Sequence, residues 1–250
     1  MTLSLKDVVR GKAIEPPIIC VFGAPGIGKT TFAAGARNPV FLATEDGAGV
    51  VGPDRFNIKT FEEFQEALDV IKKEKHEYQA LVVDSLDWLQ PLVWDFVCRK
   101  ANQPNIEAFG YGKGYAEATS IFRNIFLQMR EIKKSKKMSV ILIAHMVTNT
   151  KDFPDRDSYS CNEIKLHKGA AGLIQEYVDV IGFADLKTVI QQKDAGFNRK
   201  VGRAVSDGTR VLKVNAHPAF VAKSRYPMPD EIPLDYPTLE AHILGKGDKK

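Results

Sequence analysis

Short apolar runs set the rhythm of this chain. Residues 18–22, 40–43, 80–83 and 140–144 are wholly apolar and rich in β-branched side chains, as strands buried on both faces require. A fifth strand is expected at 178–183. Elsewhere the apolar positions switch to helical spacing. Ala118, Ile121, Phe122, Ile125, Phe126, Met129 and Ile132 recur at i, i+3, i+4 and i+7, and the lysine-rich stretch 133–137 solvates the end of that helix. Thr60 caps another helix, which runs to about Lys73 with Phe61, Phe64, Leu68 and Ile71 on one face. Further helices are expected at 29–36 and 88–99, and polar loops at 102–114 and 146–168. Strands alternating with helices predict an α/β fold: a mostly parallel twisted sheet flanked by helices, with right-handed crossovers. Asp207-Gly208 reads as the turn of a C-terminal β-hairpin extension between 203–205 and 210–214.

The break after the first strand carries the chemistry. Gly23, Ala24, Pro25, Gly26, Ile27, Gly28, Lys29 and Thr30 match G-x-x-x-x-G-K-[ST] in full, with Thr31 following. Glycines let backbone N–H groups wrap a phosphate with no Cβ in the way. Lys29 reaches the β- and γ-phosphates as a point charge, and Thr30 holds Mg²⁺ at the start of a helix. ATP with Mg²⁺ is therefore the expected ligand. Asp84 ends the buried run 80–83, where a Walker B carboxylate orients the metal or its water. Glu45 follows the run 40–43; if that strand neighbours the P-loop strand, Glu45 points at the γ-phosphate, with Asp46 its rival. Ser85 follows Asp84, so the water-polarising acid is not adjacent to Walker B, which argues against an AAA+ arrangement.

Composition adds limits. At 250 residues, 44% hydrophobic and 26% charged, the chain suits one α/β domain, expected at 17–244 between a 1–16 lead and a 245–250 tail. No apolar run approaches the roughly 20 residues that cross a bilayer. Three widely spaced cysteines form no CxxC pair, so neither a disulfide framework nor a zinc site is indicated, and a cytoplasmic protein is expected. The net charge of +4 is unevenly placed: between Lys187 and Arg225 nine basic residues face only Asp194 and Asp207. Such a stripe suits nucleic acid, a neighbour's phosphates, or a solvated hairpin face.

Together these segments resemble the RecA-like ATPase core. Phe41-Leu-Ala-Thr-Glu45 is similar to the strand ending in that family's catalytic glutamate, and Leu81-Val-Val-Asp84-Ser85 to its Walker B. Val140-Ile-Leu-Ile-Ala-His145 resembles the strand whose last polar residue senses the γ-phosphate. Gly110-Tyr-Gly-Lys-Gly-Tyr115 and Ala222-Lys-Ser-Arg-Tyr narrow the resemblance to small phage-encoded RecA-like single-strand annealing proteins, over roughly residues 17–243. The resemblance implies an ATPase, stimulated by single-stranded DNA, that promotes annealing in recombination within the host cytoplasm. It implies catalytic or sensing roles for Lys29, Glu45, Asp84 and His145. It also implies a ring or filament in which Lys223 and Arg225 reach the nucleotide of the adjacent subunit, and a single-strand-binding protein is a further partner to expect.

Two DNA-facing loops follow from the same resemblance. The first, 102–115, holds Tyr111, Lys113 and Tyr115, aromatics that stack on bases beside a cation for phosphate. The second, 146–168, holds Lys151, Lys165 and Lys168 among several acids. Rival functions are a small-molecule P-loop kinase, a helicase-like motor and a nucleotide switch. Before the basic C-terminal segment the sequence has no compact arginine-rich lid of the kind a kinase would close over its substrates.

Overall fold

The computed structural model describes Ser4 and residues 15–45, 52–194 and 200–246. Asp46, most of the expected N-terminal lead and the last four residues of the tail lie outside the described residues. The apolar runs are strands, as their pattern predicts: β1 (Ile18–Gly23), β2 (Pro39–Ala43), β4 (Ala80–Asp84), β5 (Ser139–Phe153) and β7 (Val180–Asp194). An exposed β3 (Asp54–Asn57) joins them at one edge. All six run parallel, and β8 (Lys200–Lys213) and β10 (Glu231–Pro233) complete the order β10-β8-β7-β1-β5-β4-β2-β3, each of these two antiparallel to its neighbour. The fold is therefore α/β, with a mostly parallel sheet flanked by helices.

Continuous apolar runs arise because both sheet faces are covered. Ile18, Cys20 and Phe22 of β1 pack into one core with α2 (Phe61–Lys73), α3 (Leu86–Lys100), α4 (Lys113–Lys136) and α5 (Lys168–Tyr177). Ile19 and Val21 point the other way, into a second core with α1 (Lys29–Ala34) and α6 (Tyr236–Ile243). A polar residue on either face of β1 would lose its water without gaining a partner. The cap expected at Thr60 is a reciprocal capping box: its Oγ1 accepts the Glu63 amide while the Glu63 carboxylate accepts that of Thr60, each at 3.2 Å. Such a box contributes about 1 kcal/mol.

Four expectations need correction. Residues 146–168 are not a loop. β5 continues to Phe153 and pairs antiparallel with β6 (Arg156–Ile164), in a hairpin whose polar alternation faces solvent and so hides its strand character. Asp207-Gly208 is not a hairpin turn either. Residues 203–205 and 210–213 lie on one strand, β8, which pairs with β7 along its length. The Asp-Gly pair sits where the register shifts between Leu186 and Thr188: Gly208 takes φ 85°, and the Asp207 carboxylate accepts the Thr209 amide at 2.8 Å. A bulge needs the same left-handed glycine and Asx geometry as a turn, so the local signal is shared. Third, α4 begins at Lys113, which shortens the first expected DNA loop and puts Tyr115 inside a helix. Fourth, β2 does not neighbour β1; β5 and β4 stand between them.

At the amino end of β1, Asp179 ties several elements together. Its buried side chain accepts the Ile18 amide at 2.8 Å, Lys133 Nζ at 3.3 Å and Arg225 Nη1 at 2.9 Å. Asp179→Ala strands a buried amide and leaves the mostly buried Lys133 ammonium with its longer 3.7 Å pairing to Glu15, and is expected to cost about 2–4 kcal/mol in a urea unfolding titration. A loss under ~0.5 kcal/mol would show that these bonds are redundant.

Candidate nucleotide site

β1 ends at Gly23, and the chain turns through Gly26 (φ 74°) and Gly28 (φ 105°) before α1 begins at Lys29. Left-handed backbone at both glycines turns successive amides toward one point, the geometry of an anion nest. Ile27 is buried in the core and anchors the loop from below. Gly23 is required for a second reason: a Cβ there would collide with the carbonyl oxygen of Ala184 on β7. Lys29 is 6% exposed, and its Nζ donates to the carbonyls of Gly23 at 3.2 Å and Ala24 at 2.9 Å. Burial lowers its pKa, against the pull of Asp84, Asp87 and Glu45.

Asp84 closes the other side. Thr30 Oγ1 donates to its Oδ2 at 2.8 Å, and burial, aided by Glu45, raises the Asp84 pKa despite that bond and the nearby Lys29 and His145. The ends of β2 and β4 are stitched together: the Thr44 amide donates to Asp84 O at 2.8 Å, and Thr44 Oγ1 accepts the Ser85 amide at 2.9 Å. Ser85 Oγ then donates to Glu45 at 3.3 Å. Glu45 thus lines the cavity although β2 is not adjacent to β1, because the β2–β4 stitch carries its backbone inward. His145 sits opposite Gly23 in the β1–β5 register. Its Nδ1 donates to Asp87 Oδ2 at 2.8 Å and its amide to Asp87 Oδ1 at 2.9 Å. A carboxylate cannot donate, so in the neutral imidazole the proton sits on Nδ1 and Nε2 is left free.

The result is a cavity of about 310 Å³ lined by Pro25, Gly26, Gly28, Lys29, Thr30, Thr31, Glu45, Asp84, His145 and Arg210. Two of the site's residues escaped the sequence reading. Asp87 lies three residues beyond Asp84, at the start of α3, and its spacing could have suggested it. Arg210 lies far along the chain on β8, and only the strand order brings it to the P-loop. The residues fit a magnesium–nucleotide complex. Among the described residues no cluster of three or more His, Cys, Asp or Glu side chains could hold a metal alone. One hydroxyl, that of Thr30, and one carboxylate, that of Asp84, would hold such an ion alongside phosphate oxygens and water.

The other expected residues lie elsewhere. Lys223, on the short β9 (Lys223–Ser224), donates to the carbonyls of Gln175 at 2.6 Å and Val178 at 3.0 Å. Arg225 pairs with Asp179. Both sit at the amino end of the parallel strands, away from their own chain's P-loop. Tyr111 is fully exposed, and Lys113, Lys165 and Lys168 are exposed. Tyr115 is stacked on His167 at 4.3 Å and its hydroxyl donates to Glu107, while Lys151 Nζ pairs with Glu163 at 2.5 Å. In the basic stripe, Lys187 pairs with Glu231 and Lys213 with Asp185; Arg199 and the side chains of Lys193, Lys200 and Arg203 lie outside the described residues. No helix of the described residues is long and apolar enough to cross a membrane.

Residues 15–226 match the model of a family described as an AAA domain, AAA_24, and the chain belongs to that family. The family is one of nucleotide-binding ATPase domains. Its name does not move the second acid: Glu45 lies two residues past the end of β2, the strand beside Asp84's, with Ser85 following Asp84. A Bacillus subtilis (strain 168) protein called SPbeta prophage-derived uncharacterized protein YorG is 25% identical over 154 residues, 57% of this chain and 45% of that protein's length. The chain thus spans less than half of that relative. A crystal structure of the RadB recombinase matches 79% of this chain and 80% of its own with 14% identity and a TM-score of 0.42.

Asp87→Ala is expected to move the neutral His145 proton from Nδ1 to Nε2, the form preferred by free imidazole, and to cost about 1–3 kcal/mol for the orphaned His145 amide. Long-range ¹⁵N spectra of the imidazole read the first effect, and thermal melting the second.

Proposed function

We propose that this AAA-domain chain is a magnesium-dependent ATPase of phage homologous recombination that binds single-stranded DNA and promotes its annealing. The observation that carries the nucleotide half is the convergence of Lys29, Thr30, Asp84, Glu45 and His145 on one cavity. With Mg²⁺–ATP bound, the nucleotide supplies the phosphoanhydride and the metal draws charge from the transferring oxygens. Lys29 exchanges its two carbonyl partners for phosphate. Thr30 and Asp84 hold the metal side. Glu45, fixed through Ser85, orients a water and takes its proton. His145, aimed by Asp87, presents Nε2 toward the terminal phosphate.

Lys223 and Arg225 cannot serve their own cavity from the amino end of the sheet, which supports a ring or filament in which they face a neighbour's nucleotide. The prophage origin of a relative and the exposed Tyr111, Lys113, Lys165 and Lys168 support the DNA half. Tyr115, stacked on His167, would act there as the wall of a platform.

An ATPase assay titrated with single-stranded DNA tests the reading. Turnover is expected to rise with DNA and to vanish in Lys29→Ala. Glu45→Gln should keep Mg²⁺–ATP binding and lose on the order of 10²–10⁴-fold in turnover. Turnover indifferent to DNA would remove the recombination half, and phosphorylation of a small-molecule acceptor would replace it with a kinase. The double variant Tyr111→Ala with Lys113→Ala should weaken single-strand binding about tenfold or more while leaving nucleotide affinity intact. Unchanged DNA affinity would take this loop out of the interface.

A further inference from the structure

We propose that Arg210 is a phosphate ligand acting within its own chain, gripping the α- and β-phosphates from the side of the cavity opposite the catalytic acids. The proposal rests on the reading that the cavity holds a nucleoside triphosphate.

Arg210 Nη1 lies 3.0 Å, and its Cδ 3.7 Å, from where a Cβ on Gly28 would stand. The guanidinium therefore rests against the stretch of backbone that leads into Lys29. Its own backbone is held from two sides. Arg210 pairs with Leu186 across β7–β8, and its carbonyl accepts the Leu234 amide at 3.1 Å. The register shift just before it alters the course of β8, and bulges of this kind re-aim the side chains beside them.

Charge gives a second line of support. Lys187, Lys213 and Arg225, in the same basic segment, each pair with a carboxylate, whereas Arg210 has no ion-pair partner among the described residues. An unpaired guanidinium beside an amide nest matches the fork of oxygens on a diphosphate, which arginine binds with two parallel N–H bonds. Within the cavity lining, Lys29 is the only other lysine or arginine, against Glu45 and Asp84. A polyanion entering beside two carboxylates gains from that extra charge.

The strand order says which phosphates are involved. Asp84, Glu45 and His145 arrive from β4, the end of β2 and β5, on one side of β1. Arg210 arrives from β8, on the other. The catalytic acids mark the γ-phosphate end, so Arg210 meets the part of the nucleotide that ADP retains.

Equilibrium titrations with Mg²⁺–ADP and Mg²⁺–ATP, on wild type, Arg210→Ala, Arg210→Lys and Lys29→Ala, test this. Arg210→Ala is expected to weaken both nucleotides to a similar degree, by about tenfold or more, with Arg210→Lys intermediate. Arg210 is exposed, so circular dichroism and melting should match wild type. Unchanged affinities in Arg210→Ala would overturn the proposal, as would a loss confined to ATP, which would put the guanidinium on the γ-phosphate. If wild type and Lys29→Ala both fail to bind, it is the nucleotide reading that falls.

Discussion

Parallel alignment is the constraint on which the rest depends. Six neighbouring strands run the same way, so their carboxyl ends lie along one edge, and whatever follows each strand is delivered there. Gly23, Glu45, Asp84 and His145 belong to four different strands or strand ends, separated by up to 122 residues of chain from Gly23 to His145. The sheet converts that separation into neighbouring positions around one cavity.

Charge in this cavity is electrostatically costly. Burial works against the charge on Lys29 and on Asp84 alike, and each is held by short bonds to groups a ligand would displace or share. Lysine folded onto the loop carbonyls and threonine on the aspartate keep these polar groups satisfied.

Much of this was legible in the sequence, because its signals are local. Two-sided burial writes itself as unbroken apolar runs, and the anion nest as glycines at fixed offsets. Thr60 announced its capping box in four residues. What escaped were features decided between distant segments. The β5–β6 hairpin is polar on its exposed side, and its buried Cys161 and Ile164 are too sparse among polar neighbours to read as a strand. Asp207-Gly208 satisfies the same local geometry in a bulge as in a turn, and only the pairing of β8 with β7 tells them apart. Glu45 reached the cavity by a different route from the one its strand suggested. Arg210 has no motif at all; it matters because β7 alone separates its strand from β1.

Gly23 carries a consequence of its own. The contact that excludes a side chain there comes from the carbonyl of Ala184 on the next strand, and it would persist in a descendant that no longer used any nucleotide. The first glycine of this loop records packing as much as catalysis. Among diverged copies it should outlast Lys29, and its survival alone says little about whether such a copy still works.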